Sequence, residues 1–156
     1  MIQYVDVTTI IFINKKTLEL TNESNFHHVL NYADLNLIND FVMERFNENI
    51  IKKALAYLVS IIVLHPFQNG NHRTSLETSE QFLLMNDYEF IGSYIEKINF
   101  EKWRMGYEKT NELERSFFSI TCNENNDKKK DEIENVMNSE YGQTIEQWLI
   151  EYYKKI

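Results

Sequence analysis

The chain has 156 residues, of which 43% are hydrophobic and 13% aromatic, with a formal net charge of −8. That is one globular domain with enough apolar surface for a real core, and its acidity argues against nonspecific nucleic-acid binding, which needs a basic face. The single cysteine, Cys122, excludes an intrachain disulfide framework and points to a reducing, cytoplasmic setting. Met1 to Ile11 lacks the basic start and small-residue cleavage site of a secretory signal. The apolar run Ala54 to Leu64 is too short to span a bilayer, so no membrane association is expected.

In chain order, Val5 to Leu20 reads two ways. Its β-branched Val7, Thr8, Thr9, Ile10 and Ile11 suit a strand. Asp6 as a cap, with Ile10, Ile13, Thr17 and Leu18 on one face, suits a helix. Thr21 to His28 is polar and reads as a loop in which His27 and His28 are exposed rather than metal ligands, since no third ligand lies at useful spacing. Asp34 to Phe46 carries Leu35, Ile38, Phe41, Val42 and Phe46 at helical spacing and packs on the core. Ile50 to Leu64 is apolar nearly all round and belongs at the centre of the fold, with Lys52 and Lys53 at a solvated helix start.

Next comes His65-Pro66-Phe67-Gln68-Asn69-Gly70-Asn71-His72-Arg73-Thr74-Ser75-Leu76, which holds the one proline of the chain. Pro66 ends the preceding helix and biases His65 away from the α region. Gly70 allows a tight turn, and Asn69 or Asn71 can cap a second helix running from Thr74 to Asn86. His72 and Arg73 then sit at a helix start, where the macrodipole, the N–H groups and a guanidinium make an anion site suited to phosphate. Further on, Tyr88 to Gly92 is a turn or short extended piece. Lys97 to Thr121 gives one or two helices packed through Phe100, Trp103, Tyr107, Leu113, Phe117 and Phe118. These read as core aromatics, because few basic residues interleave them. Asn123 to Asp131 reads as a mobile linker. Thr144 to Ile156 is a short terminal helix with Ile145, Trp148, Leu149 and Tyr152 on one face.

The central segment resembles the Fic/Doc (Fido) family, whose loop has the form His-Pro-Phe-x-Asp/Glu-Gly-Asn-Gly/Lys-Arg-x-x-Arg. His65, Pro66, Phe67, Gly70, Asn71 and Arg73 match it, a coincidence expected on the order of once in a million by chance. Thr74-Ser75-Leu76 and the run Phe82 to Asn86 look closer to the Doc-like branch, and the close likeness covers about residues 54 to 90. The resemblance implies an all-α domain in which a central buried helix is followed by the motif loop and a second helix. It favours helix for Val5 to Leu20 and places a target-aligning flap, often a β-hairpin, at Ser24 to Tyr32. The Fido domain would then span 1–122, with 123–156 a polar linker and short C-terminal helix packed on the same domain.

By the same resemblance the protein transfers AMP, or another nucleotide-derived phosphoryl group, from ATP or a related nucleotide to a hydroxyl of a target protein. His65 would be the general base. Arg73 would share the catalytic work with it and, with Asn69, Gly70, Asn71 and His72, bind nucleotide phosphates. Phe67 would anchor the loop. Three positions depart from the family pattern. Asn69 replaces the acidic residue that binds Mg²⁺, and an amide lacks the charge a hard cation prefers, so metal binding there is weak or absent. His72 replaces Gly or Lys and leaves open whether AMP or the γ-phosphate is transferred. Leu76 replaces the last Arg. The alternatives are a Doc-like protein kinase toxin, or a degenerate domain that binds nucleotide or a protein without turnover. An antitoxin or inhibitory chain is a further expected partner. Thr110-Asn111-Glu112-Leu113-Glu114 has the spacing of the family's inhibitory helix, but Arg115 follows where Gly or Asn belongs.

Overall fold

The computed structural model describes residues 1–111 and 125–156. Helix α1 (Val7–Leu20) begins at Asp6, whose carboxylate accepts from the Thr9 N–H at 2.8 Å, so the helical reading of this stretch holds. A 3-10 turn follows at Ser24–Phe26, then α2 (Tyr32–Glu44) and α3 (Ile50–Leu64). Next are α4 (Asn71–Met85), strand β1 (Tyr88–Phe90) and α5 (Tyr94–Thr110). Past the undescribed residues come α6 (Asn126–Met137), α7 (Glu140–Tyr152) and strand β2 (Tyr153–Lys155). The fold is therefore all-α apart from the antiparallel β1–β2 pair, in which Tyr88 faces Lys155 and Phe90 faces Tyr153. No described helix is long and apolar enough to cross a membrane.

Helix α3 is the axis. Every residue from Lys53 to Leu64 is buried, because α2, α4, α6 and α7 all pack around it. The α4 face turned inward is built of Thr74, Ser75, Thr78, Ser79 and Phe82. Four of those five are small, which lets the two helix backbones lie close, and the Ser79 hydroxyl donates to the Ala54 carbonyl at 2.9 Å. Tyr57 fastens the N-terminal segment: its hydroxyl accepts from the Val5 N–H at 3.0 Å and donates to the Val5 carbonyl at 3.1 Å.

Several local expectations are corrected. Lys53 is not solvated; it is 1% exposed, and its ammonium donates to the carbonyls of Val42 and Arg45 at the end of α2. Those carbonyls have no partner within their own helix, so the lysine acts as a C-terminal cap reaching across from α3. Helix α4 starts at Asn71, three residues earlier than read, and its cap is Gly70. Residues 126–131, read as part of a linker, open α6. That helix is capped by Asn125 and carries buried Lys129 and Lys130 on its inner side. The flap region forms no hairpin; after the 3-10 turn it runs extended and pairs with the motif loop instead. Leu113, Phe117, Phe118, Cys122 and the residues Glu112 to Glu114 lie outside the described residues.

Helix α6 is docked by ion pairs as well as by Ile133, Val136 and Met137. Lys129 meets Asp34 of α2 at 2.8 Å with both side chains nearly buried, and Lys130 meets Glu44 at 2.9 Å. Removing one member of a buried pair leaves the other charge uncompensated, whereas removing both costs far less. Lys129→Met and Asp34→Leu are therefore each expected to lose about 3 kcal/mol of unfolding free energy, and the Lys129→Met/Asp34→Leu double variant to recover most of it. Urea titration of the four proteins of this cycle provides the measurement.

Candidate active site

The motif loop is a turn between two helices whose geometry follows from its residues. His65 caps α3 with φ 50° and ψ 56°, in the left-handed region, while its N–H still donates to the Ile61 carbonyl at 3.0 Å. Pro66 disfavours the right-handed helix at His65, and the chain leaves α3 by turning the other way. A non-glycine residue pays about 1–2 kcal/mol for that conformation, so the surroundings must hold it.

They do so through Asn71 and the flap. The Asn71 side-chain oxygen accepts from the Phe67 N–H at 3.1 Å, and its amide nitrogen donates to the Phe67 carbonyl at 2.7 Å. Both polar groups of this buried backbone unit are thereby satisfied by one side chain. From the other side the Leu30 N–H donates to the Pro66 carbonyl at 2.8 Å and the Gln68 N–H to the His28 carbonyl at 2.9 Å. Phe67 itself is fully buried, as an anchor should be. The Asn71 amide nitrogen also lies 3.1 Å from His65 Nδ1 and 3.3 Å from Nε2. A single atom nearly equidistant from two nitrogens that flank one carbon lies over the ring, so Asn71 supports the imidazole without fixing its tautomer.

Helix α1 forms the third wall. Asn14 is fully buried, and its amide nitrogen donates to the Asn69 carbonyl at 2.8 Å and to the Thr74 hydroxyl at 3.1 Å. Its oxygen then faces His27 Nδ1 at 2.7 Å, so that nitrogen carries the hydrogen. His27 is half-buried with its ring 6.2 Å from that of Phe67, and burial, followed by the charge of Lys15, holds its pKa below the usual range. It is thus a structural member of the flap rather than an exposed loop residue. Gly70 has φ 79°, and a Cβ there would lie 3.1 Å from the Asn14 amide and 3.3 Å from Leu18. Both the backbone angle and the contact with α1 require glycine. As cap of α4, Gly70 brings no side-chain acceptor to the first turn. Amides in that first turn have no partner earlier in their own helix and favour an anion.

Arg73 reaches from this turn to the end of α1, donating to the Thr17 carbonyl at 3.0 Å and to the Thr21 hydroxyl at 3.1 Å, and pairing with Glu23 at 3.1 Å. A carboxylate therefore occupies the guanidinium that was expected to meet phosphate.

Residues 4–83, half of the chain, match the model of the Fic/DOC family. The chain belongs to the Fic/DOC family. That match does not separate the Fic branch from the Doc branch. No curated protein and no solved structure matches the chain.

Of the sequence-expected site residues, His65, Asn69, Gly70, Asn71 and Arg73 come together at the Fic/DOC loop. His72 turns the other way. Its Nδ1 lies 2.5 Å from Glu108 Oε2, and its Nε2 is 3.3 Å from Glu101 Oε1, near enough to pair though not aligned for a hydrogen bond. Arg104, fully buried, binds Glu101 at 2.8 Å, the Ser75 hydroxyl at 2.6 Å and the His72 carbonyl at 2.6 Å. The Tyr141 hydroxyl donates to Glu108 at 2.6 Å. Asn14, Glu23, His27 and this network were not identified as site residues from sequence. Asn14 alone left a signal, a polar residue between Ile10 and Leu18 on the buried face of α1, where a partner is obligatory.

The family's Mg²⁺ does not fit the residues present. Position 69 offers a neutral amide in place of a carboxylate, and the described residues contain no group of three or more His, Cys, Asp or Glu arranged for a metal.

The His72 network has a pH signature. Two carboxylates and one guanidinium are electrically balanced only if His72 is charged. Burial works against that charge, but the carboxylates of Glu101 and Glu108 beside the ring outweigh it and raise the His72 pKa above its ordinary value. Burial likewise opposes ionisation of Glu101, yet His72 and Arg104 pull its pKa down to about 2. A raised folded pKa stabilises fully below the unfolded value and loses that stabilisation as pH climbs through the folded value. Thermal stability should therefore fall as pH rises from about 6.5 into the alkaline range. His72→Gln should be less stable at the lower pH and show a flatter profile, which melting curves across that range check.

Proposed function

We propose that this Fic/DOC domain transfers AMP from ATP to a hydroxyl of a target protein, with His65 as the general base. The observation that carries the reading is the placement of His65. Its imidazole lies against the Asn71 amide, at a loop that leads directly into the first turn of α4. In the reaction the target hydroxyl oxygen bonds to the α-phosphorus, its proton passes to His65, and the bond to the departing pyrophosphate breaks. The first-turn amides of α4, the Asn71 backbone N–H among them, would hold the phosphate oxygens, while the Asn71 side chain holds the loop that presents them. Arg73 would offset the developing charge, exchanging Glu23 for phosphate as nucleotide enters. That exchange is inexpensive: the Glu23 and Arg73 side chains are each about two-fifths exposed, and a solvent-screened pair weakens a competing anion by no more than about fivefold.

His72 enters this reading as a positioning residue. Its side chain is committed to Glu101 and Glu108, so it fixes the start of α4 from behind and leaves the choice between α- and γ-phosphorus to the rest of the loop. Transfer of the γ-phosphate, as a Doc-like kinase toxin would perform, uses the same base and attacks the terminal phosphorus. An antitoxin or inhibitory chain would fit either reading. The single cysteine suits a cytoplasmic setting.

Asn69 favours a second reading, a domain that binds nucleotide or a protein partner without turnover. The two readings separate on incubation of the protein with α- or γ-labelled ATP and a cell lysate. Label from the α-phosphate on a protein band supports AMP transfer, label from the γ-phosphate alone supports kinase activity, and no label with retained ATP binding supports the second reading. In the first two cases His65→Ala should lower transfer by at least about a hundredfold while leaving nucleotide affinity nearly unchanged. Asn69→Asp should make nucleotide affinity respond to Mg²⁺ where the natural protein's responds little. Calorimetric titration of ATP with and without Mg²⁺ checks this, and equal metal dependence in both proteins would place residue 69 away from the phosphates.

A further inference from the structure

The outer face of the motif helix carries a second feature, independent of the nucleotide reading. Between α4 and α5 lies a groove of about 320 Å³ whose apolar floor is Leu76, Ile98 and Met105. Tyr94 and Met105 are 77% and 54% exposed, and with Ile98 they form one stripe along α5. A second groove of about 300 Å³ runs along α4 to Leu84, Tyr88 and Tyr153. The two share Glu77 and Glu80, so they adjoin on the side of α4 away from α3 and together make a channel.

The charges along this channel are unequal. Glu77, Glu80, Glu89 and Glu101 line it with Lys97 and Lys102; Glu80 is matched by Lys97 and Glu101 by Arg104 and His72, which leaves Glu77 and Glu89 against Lys102. Lys97 is already committed, 2.7 Å from Glu80 and 4.7 Å from the Phe90 ring centre. Glu77 forms no ion pair among the described residues. Its side chain reaches solvent, yet the protein around it and then Glu80 raise its carboxyl above the usual range, against the opposing charge of Lys97.

We propose that this channel docks a segment of a partner protein that carries Lys or Arg among apolar side chains. The span from Tyr94 to Met105 is about 16 Å of helix, three turns, which suits a peptide segment better than a small molecule. The acidic rim repels nucleic acid and anionic lipid. A second copy of this chain is disfavoured too, since a two-fold interface would set the same carboxylates against themselves. A basic amphipathic segment meets both demands, with apolar side chains on Ile98 and Met105 and a cation at Glu77. Glu101, at one wall of the channel, also holds His72, so an occupant contacts the network behind the motif loop.

The test uses a labelled amphipathic peptide of about twelve residues, alternating Leu with Lys and Arg at helical spacing, and a matched peptide with Glu in place of the cations. Fluorescence anisotropy should show binding of the cationic peptide alone, weakened at least about tenfold by Glu77→Lys and by Met105→Glu. Glu151→Lys, in a separate groove between α5 and α7, should leave affinity unchanged. If circular dichroism shows either variant unfolded, Tyr94→Ala reads the same surface from an exposed position. Absence of binding overturns the proposal, as does equal weakening by Glu151→Lys, which would mean attraction to net charge alone. A concentration-dependent dimer dissolved by Met105→Glu would assign the face to a second copy and overturn it as well.

Discussion

The close seating of α4 on α3 decides where every residue of the site lies. Thr74, Ser75, Thr78 and Ser79 keep that interface thin, and the Ser79 bond to Ala54 fixes how far along α3 the second helix sits. With both helices fixed, six residues from His65 to Gly70 must close the gap. They close it with two left-handed residues, at φ 50° and φ 79°. A thicker interface would pull Asn71 away from Phe67 and release the turn. The site is thus an outcome of helix packing, and the loop chemistry is grafted onto it.

Around this junction, buried polar groups come in linked sets, in which His72 Nε2 relies on charge pairing instead of an aligned hydrogen bond. Asn71 serves the Phe67 backbone, Asn14 joins the flap to the Asn69 carbonyl, and Arg104 gathers Glu101, Ser75 and the His72 carbonyl. Each set draws on elements far apart in the chain. Such sets add little net stability compared with apolar packing, but a half-satisfied set is costly, so they fix one arrangement. The loop is held from three sides: by α1 through Asn14, by the flap through His28 and Leu30, and by α5 through Glu101 and Glu108, which hold His72. The two sides that a ligand can perturb are the Glu23–Arg73 pair in front and the His72 network behind.

At position 69 the loop carries a neutral amide, and the turn that presents it is held in place by its backbone. The Asn69 carbonyl is tied to α1 by Asn14, and the left-handed Gly70 follows it. Backbone architecture and side-chain chemistry therefore separate cleanly at this position. The same separation holds at His72, which keeps its place in the loop while its side chain has joined the interior.

By itself the sequence determined the two helices α2 and α3 and the loop that follows, while α1 stayed open to a strand and the start of α6 read as linker. The period of Leu35, Ile38, Phe41 and Val42, the apolar run ending at Leu64, and Pro66 with Gly70 are local signals, because helix formation and termination depend on near neighbours. Tertiary structure alone decided which faces met. Lys53 reads as a solvated first-turn lysine until α2 ends above it with two unmet carbonyls, and Lys129 reads as linker until Asp34 is brought beside it. His72 reads as a phosphate contact because it stands next to Asn71 in the chain. Successive helical residues, however, point about 100° apart, so the one that follows a loop-facing side chain turns toward another helix. Which helix waits there, and whether it offers the carboxylates of Glu101 and Glu108, is a matter of long-range packing that no local pattern encodes.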